Sequence, residues 1–420
     1  MSLIKRKSKS YIALVLLLLS TLIISACSSS STGSSSDSEK IKLGILEDQS
    51  GDFSLVGIQK LHAAQLAVDE INEAGGLLGK QIEIIAPDTQ SDNKRYQEMA
   101  KKLILEDKVD VIMGGFSSAS REAIRPIMEQ YKMLYFYNNQ YEGGVASKYV
   151  FPTGAVPEHQ VTTLIKGMIE EYGPRIYTIA ADYNFGQITA DWVRTTAEAN
   201  GGEIIGEEFI PLGVSQFSST ISRIKAAKPD VLVTLMVGQE QSSFYSQWAK
   251  GGNQDIPMAT TVNMAQAYEH KRFEAPALAN MYVTAPFMEE LAEIDPTAKE
   301  FVDKFYAKFP NDKYVGMEAE AQYTGVQLWA KAVEQAGTTE TEAVIKALES
   351  GISVDAPSGK VSIHPETHHA IKDVYLVHSD KDHKITFPRK WDAVVPDWLL
   401  KEKGVDLTKN DDFSQYTPID

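Results

Sequence analysis

Hydroxyl, amide and aromatic side chains follow several predicted strands of this 420-residue chain at the points where the strands end. The richest segments are 47–53, 114–120, 137–143 and 181–186. In open α/β sheets, ligands bind beyond the carboxyl ends of the strands. These segments therefore predict a site that holds a small polar molecule by hydrogen bonds between flat apolar walls.

Ser117 and Ser118 stand where a strand at 109–113 runs into a predicted helix at 118–131. Free backbone N–H groups at a helix N-terminus bind anions or carbonyl oxygens, and a serine there can donate its hydroxyl to a ligand. The same serines could simply cap the helix. Tyr183 and Phe185 could equally pack in a core, and Tyr137 and Asn139 could serve a turn.

Several other chemistries are excluded or unsupported by the sequence. The run Gly75–Lys80 is no phosphate-binding loop, because Ala74 replaces the required glycine and Gln81 replaces the Ser/Thr that would hold magnesium. Five late histidines lack the spacing of a metal site, so we predict no metal and no cofactor. They are His364, His368, His369, His378 and His383. No Gly-x-Ser-x-Gly elbow is present, and the prediction is that the chain is not an enzyme.

The elements that must position the site alternate between short apolar runs and helical patterns. The run 41–46 (Ile-Lys-Leu-Gly-Ile-Leu) predicts a buried strand, and residues 55–74 predict a helix with Leu61, Ala64 and Val68 on one face. This β-α alternation restarts near residue 176. Two such arrays predict an α/β fold with two lobes, each a mainly parallel sheet covered by helices on both faces.

The first 26 residues predict a targeting segment. A basic stretch precedes an apolar run at 12–24, and Ile24-Ser25-Ala26-Cys27 resembles the lipobox of bacterial lipoproteins. There, the cysteine is lipid-modified and becomes the mature N-terminus. Cys27 is the only cysteine of the chain, so it cannot form an internal disulfide. An ordinary signal peptide with an incidental cysteine is the alternative.

Residues 27–39 are rich in serine and predict a flexible tether between the anchor and the folded part. The chain carries 41 basic and 57 acidic residues, a net charge of −16. Such an acidic chain disfavours nucleic acid and anionic lipid as partners, so we expect membrane contact through the anchor only. The predicted location is the outer face of the cell membrane, on a bacterial surface or in a periplasm.

Several motifs together resemble type I periplasmic binding proteins, the leucine/isoleucine/valine-binding-like receptors of ABC importers. They are Ser50-Gly51, the run 68–80 (Val-Asp-Glu-Ile-Asn-Glu-Ala-Gly-Gly-Leu-Leu-Gly-Lys), Asp88, Lys101–Ile104 and Val109-Asp110. The resemblance extends over about residues 41–391. Four further motifs look like the branch that binds urea and short-chain amides. They are 118–123, 140–143, Asp182-Tyr183 and 352–359.

The resemblance implies two doubly wound lobes joined by three crossovers, which close on a ligand. The implied first lobe comprises 40–155 and 286–358, and the second comprises 156–285 and 359–390. Residues 391–420 are expected to form an irregular C-terminal tail, with Trp391 and Trp398 as packing anchors.

The resemblance also implies which side chains bind the ligand. The implied set is Phe116, Ser117, Ser118, Tyr137, Asn139, Gln140, Tyr183, Phe185, Thr260 and Thr261. The chain departs from the family at Asn138, where relatives usually have proline, so a larger or more polar ligand than urea stays open.

The implied function is a receptor that delivers urea, a short-chain amide or a small amino acid to an ABC permease and its ATPase. A surface sensor for a signalling partner is the alternative, and a neighbouring permease gene would discriminate between the two. An amidase is a third possibility, which predicts ammonia release from a bound amide.

Overall fold

The computed structural model describes residues 40–237, 239–261 and 263–419. The predicted signal segment at 1–26, the lipidation site Cys27 and the tether at 27–39 lie outside the described residues. Among the helices of the described ranges, none combines the length and the apolar character that a membrane crossing requires.

Helices alternate with strands through most of the described residues, and several begin or end at local signals. Asp92 accepts a hydrogen bond from the Arg95 N–H at 2.8 Å and caps the second helix, as short acceptor side chains do. Gly337 ends the tenth with a left-handed φ of +68°. The helices are α1 (Ser54–Glu73), α2 (Asn93–Lys102), α3 (Ser118–Tyr131), α4 (Thr163–Tyr172), α5 (Asn184–Ala199), α6 (Ser218–Ala227), α7 (Gln239–Lys250), α8 (Glu269–Arg272), α9 (Pro296–Lys308), α10 (Met317–Ala336), α11 (Thr341–Leu348) and α12 (Trp398–Lys403).

The strands of the described residues form a five-stranded, a nine-stranded and a two-stranded sheet. They are β1 (Ile41–Leu46), β2 (Ile82–Ile85), β3 (Val111–Gly114), β4 (Tyr135–Tyr137), β5 (Val145–Ser147), β6 (Val150–Pro152), β7 (Arg175–Ala181), β8 (Glu203–Ile210), β9 (Val231–Leu235), β10 (Met258–Thr260), β11 (Met281–Ala285), β12 (Ser353–Ala356), β13 (Gly359–Ile363), β14 (Ala370–Ser379), β15 (Ile385–Val394) and β16 (Phe413–Gln415).

The two large sheets share one strand order. The first runs β2-β1-β3-β4-β6 and is parallel throughout. The second contains β8-β7-β9-β10-β11 in parallel, and β14 then joins β11 in antiparallel register. In both sheets the second strand along the chain lies on one side of the first (β2 beside β1, β8 beside β7), and the later strands lie on the other side. Ligands of doubly wound folds bind at such switch points.

The first sheet is covered on both faces because its strands are apolar on both faces. Leu43 and Ile45 of β1 lie in one hydrophobic cluster together with Leu61 of α1. Leu46 at the end of β1 lies in a second cluster with Ile112 of β3. Such near-continuous apolar runs are typical of parallel strands buried on both sides.

The chain passes between the two sheets three times. After β6 it leaves the first sheet and builds the second through β11. It then returns with α9 and α10, which pack on α1, and re-enters the second sheet with β12. The predicted α/β fold with three crossovers is therefore present, while the exact lobe boundaries stay a prediction.

The C-terminal tail is more regular than the sequence predicts. Strand β15 continues to Val394, helix α12 follows, and β16 pairs antiparallel with β5. The packing role predicted for Trp398 is correct, because its ring lies 4.7 Å from that of Trp192 in edge-to-face geometry. Trp391 is partly buried against the same cluster as Trp192. The expectation of an irregular tail is thus wrong, since its β16 pairs with a strand far away in sequence.

Candidate functional site

Two predicted serines lie between the end of β3 and the start of α3, at the carboxyl edge of the first sheet. Ser117 stands at the N-cap position without a side-chain capping bond, and its carbonyl accepts from the Arg121 N–H at 3.0 Å. Gly115 precedes them with a φ of +101°, and an added Cβ would lie 2.8 Å from the Tyr135 hydroxyl. A glycine therefore lets this link pass over the tyrosine.

The Ser118 side chain is buried and donates its hydroxyl to the Oε2 atom of Glu142. The other carboxylate oxygen of Glu142 accepts from Arg121 at 2.8 Å and from Gln415 of β16 at 2.7 Å. The side chains of Glu142 and Arg121 are fully buried, so this is an ion pair removed from water. Removing one partner of such a pair would leave an uncompensated buried charge.

Three predicted residues of the β4 edge present polar atoms without hydrogen bonds of good geometry. The Tyr137 hydroxyl is one, and the Arg121 guanidinium lies 5.1 Å from the centre of its ring. Asn139 donates its amide to the Gln140 carbonyl at 3.0 Å, which leaves its Oδ1 atom without a donor. The Oε1 atom of Gln140 also lacks a donor. All three side chains are buried.

The second sheet contributes Tyr183 at the start of α5. Burial raises the pKa of this phenol, and the charges of Glu142, Tyr137 and Glu240 raise it further, so Tyr183 lies within electrostatic range of these three residues. Phe185 is buried, with its ring 6.0 Å from that of Tyr183. The structure therefore brings Tyr183 to the same place as the side chains of the first sheet.

The remaining predicted residues have other surroundings. Thr260 accepts from the Asn263 amide at 3.0 Å, while the buried Thr261 hydroxyl has no partner among the described residues. Phe116 packs its ring 4.6 Å from that of Phe53. We therefore find Ser118, Tyr137 and Tyr183 gathered around Glu142, with Asn139 bonded to the nearby Gln140, while Phe116 packs on Phe53 and Thr260 bonds Asn263.

Direct hydrogen bonds connect segments that flank the two sheets, one from α5 to the loop after β4 and one from the loop after β10 to α10. The indole of Trp192 donates to the Glu142 carbonyl oxygen at 2.9 Å, and the Gln266 amide donates to Glu318 at 2.9 Å. The other oxygen of Glu318 accepts from the Gln140 N–H at 3.1 Å. Burial raises the pKa of Glu318 to about 7.

The sequence analysis missed Arg121, Glu142, Trp192 and Glu318 as members of the site. Arg121 carries a usable signal, because it stands three residues after Ser118 and so faces the same side of α3. Glu142 falls in the 140–143 motif, but no local signal assigns it a role, because its partners come from α3, α5 and β16. Within the described residues, no three His, Cys, Asp or Glu side chains are placed to hold a metal ion.

A concave surface of about 680 Å³ lies away from these residues. Trp192, Trp391 and Trp398 line it together with Lys166 and Arg389. None of the predicted binding residues lines it, so this concave surface is separate from the site around Glu142.

Comparisons with known proteins identify the fold. A sequence model described as "Periplasmic binding protein" matches residues 40–384. The "Leucine-, isoleucine-, valine-, threonine-, and alanine-binding protein" of Pseudomonas aeruginosa is 25% identical over 328 residues, which cover 77% of this chain and 86% of that protein.

Solved structures share the architecture. A protein of the same name from Brucella ovis, in a closed conformation, is 21% identical to this chain with a TM-score of 0.77. The match covers 85% of this chain and 97% of that protein. A solute-binding protein from R. palustris in complex with 4-hydroxybenzoate is 21% identical with a TM-score of 0.76. The match covers 87% of this chain and 100% of that protein. These matches confirm the predicted type I fold. The printed names describe binding proteins, in agreement with the prediction of no enzymatic activity.

Proposed function

The chain belongs to the periplasmic binding protein family, and from this premise we propose that it is a lipid-anchored receptor for urea, a short-chain amide or a small amino acid. Members of this family are extracytoplasmic solute-binding receptors that deliver small ligands to the permeases of ABC transporters. The proposed ligand binds between the two lobes, beside Ser118, Tyr137, Asn139 and Tyr183. Cys27 holds the receptor near the permease.

The observation that carries the ligand proposal is a set of buried polar atoms without partners. They are the Tyr137 hydroxyl, the Asn139 Oδ1, the Gln140 Oε1 and the Thr261 hydroxyl. A buried polar atom left without a hydrogen bond costs about 1–3 kcal/mol. A small molecule that supplies the missing partners recovers this free energy, whereas a purely apolar ligand would not.

The named relatives support small ligands without agreeing on one. The printed name of the P. aeruginosa relative specifies five small amino acids, and that of the R. palustris neighbour specifies a benzoate. The aromatic residues at the site, Tyr137 and Tyr183, carry hydroxyls, so the site combines flat walls with polar groups. This combination favours a ligand that is compact and rich in hydrogen-bonding groups.

The bonds between the two sheets suggest how ligand binding would be transmitted. The bond from Trp192 to Glu142 joins α5 to the loop after β4, and the bond from Gln266 to Glu318 joins the loop after β10 to α10. A ligand that contacts both sides favours the conformation in which these bonds exist. We propose that the permease binds the receptor in that conformation.

The proposal is tested by calorimetry of the purified protein with urea, acetamide and L-alanine as separate probes. We expect saturable binding of at least one probe, with one ligand per chain. Tyr137→Phe should then weaken binding by about fivefold, because one hydrogen bond contributes about 1 kcal/mol.

Tyr149→Phe is the matched control, since its hydroxyl bonds Glu342 at 3.2 Å and lies outside the gathered group. Failure of every probe to bind would contradict the ligand assignment. An equal loss of affinity in both tyrosine variants would contradict the location of the site.

A further inference from the structure

We propose that Glu142 makes the Ser118 hydroxyl a hydrogen-bond acceptor toward the ligand, so that the site selects molecules presenting an N–H group over those presenting a carboxylate. This inference rests on the proposed function, because it concerns the same site. It narrows the ligand to primary amides, urea and related N–H donors.

The first step follows from the valence of a serine hydroxyl, which has one O–H donor and two acceptor lone pairs. Ser118 donates its single hydrogen to Glu142, and an ionised carboxylate can only accept. The Arg121 guanidinium at 2.8 Å keeps this carboxylate paired with a positive charge. The hydroxyl can therefore offer only lone pairs to a further partner.

The second step concerns the neighbouring atoms. Asn139 donates its amide hydrogens to the Gln140 carbonyl, which identifies the partnerless Oδ1 atom as an acceptor. The partnerless Oε1 atom of Gln140 is also an acceptor. The first-sheet side therefore offers the Ser118 lone pairs and two partnerless acceptor oxygens, against one partnerless donor, the Arg121 Nη1. The hydroxyls of Tyr137 and Thr261 can adapt to either role.

The third step concerns the helix that starts at Ser118. The first N–H groups of an α-helix have no carbonyl in a preceding turn to bond, so the start of α3 offers donors. A primary amide can place its carbonyl oxygen there and its NH₂ group at the Ser118 oxygen. A carboxylate of the same shape would turn lone pairs toward the lone pairs of Ser118.

Glu142→Gln tests this polarity directly. Arg121 and Gln415 both donate to Oε1, so the oxygen of the introduced amide should occupy that position. Its NH₂ group then takes the place of Oε2 and donates to Ser118. The serine becomes an acceptor from residue 142, and its own hydrogen is released toward the ligand.

The measurement is the ratio of affinities for acetamide and acetate, by calorimetry, in the wild type and each variant. We expect the wild type to prefer acetamide and Glu142→Gln to lower this preference at least about tenfold. Glu122→Gln is the control for charge, because Glu122 bonds the same guanidinium at 2.9 Å without touching Ser118. It should leave the preference within about twofold.

Ser118→Ala provides a second route if Glu142→Gln does not fold, as judged by circular dichroism. It should weaken acetamide binding about fivefold or more while changing acetate binding little. A wild type that binds acetate as well as acetamide would overturn this inference alone. A wild type that binds neither these probes nor urea nor L-alanine would overturn the proposed function and this inference with it.

Discussion

The indole Nε1–H of Trp192 donates to the backbone carbonyl oxygen of Glu142 at 2.9 Å and joins the second sheet to the first. Trp192 belongs to α5, the helix that begins directly after Tyr183. Glu142 bonds Ser118 at the start of α3. This hydrogen bond thus links the helix that follows Tyr183 to the residue that bonds Ser118.

Trp192→Phe should weaken ligand binding by about fivefold, because it removes this bond while keeping an aromatic ring against Trp398. Calorimetry with the best probe measures the change. Trp248→Phe is the control, since its buried indole N–H has no hydrogen-bond partner among the described residues. Equal affinities of the Trp192→Phe variant and the wild type would show that the bond does not contribute to the bound conformation.

The contribution of Glu318 to the free energy of unfolding should fall as the pH rises from about 4.5 to 7, whereas buried histidines with lowered pKa values, such as His159 and His369, contribute in the opposite direction. Burial raises the pKa of Glu318 from 4.5 to about 7, so the folded chain keeps a proton that the unfolded chain has released. Where the folded state binds more protons, stability decreases with rising pH. Glu47 and Glu158, with pKa values raised by burial to about 8 and about 7, act in the same direction.

Glu318→Gln should therefore flatten this dependence by about 1–3 kcal/mol and make the protein more stable than wild type at pH 8. Urea denaturation between pH 4.5 and 8.5 measures it. The exposed Glu106 supplies a control, and Glu106→Gln should leave the slope unchanged. An unaltered slope in Glu318→Gln would mean that this carboxyl does not hold its proton near neutral pH.

Gly144→Ala should destabilise the fold by about 2 kcal/mol more than Gly201→Ala. Both glycines have left-handed backbones, with φ of +83° and +75°. A Cβ at Gly144 would overlap the carbonyl of Tyr416 beside β16, whereas nothing lies within 4 Å of one at Gly201. Thermal and urea denaturation measure the two losses of stability. Equal losses would mean that β16 can move to make room for the added Cβ without destabilising the fold.

Cys27→Ala should release the protein from the membrane fraction of a bacterial host that processes lipoproteins. Each buried CH₂ of an acyl chain contributes about 0.8 kcal/mol of membrane affinity, and the variant would carry no such chain. Fractionation and intact-mass measurement provide the test, with Ser28→Ala as the control. Retention of Cys27→Ala in the membrane would argue for a different attachment.

The parallel sheets were predictable because their signals are local. Strand β1 was placed at 41–46 and is found there, since a buried parallel strand is a short apolar run whatever its partners are. Helix α1 was placed at 55–74 and spans Ser54–Glu73. Its apolar spacing and the glycines that follow fix it without reference to the rest of the chain.

The C-terminal strands were harder to predict, because their residues carry weak local signals. A short strand was predicted near 384–387, but β15 continues through Pro388, Arg389 and Lys390 to Val394. This second half is largely exposed, so only its pairing with β14 reveals it. The Glu142 network has the same character. In the sequence, a glutamate followed by two glycines predicts an exposed loop. Only the structure shows that Arg121 and Gln415 both donate to this glutamate.

The bond from Gln415 to Glu142 joins residues 273 positions apart, with Gln415 beyond the residues that match the family. Chains are synthesised from the N-terminus, and their early parts fold first. Glu142 is therefore made long before one of its three side-chain donors exists. The site around Ser118 therefore cannot acquire its final hydrogen bonds until the chain has been synthesised past Gln415.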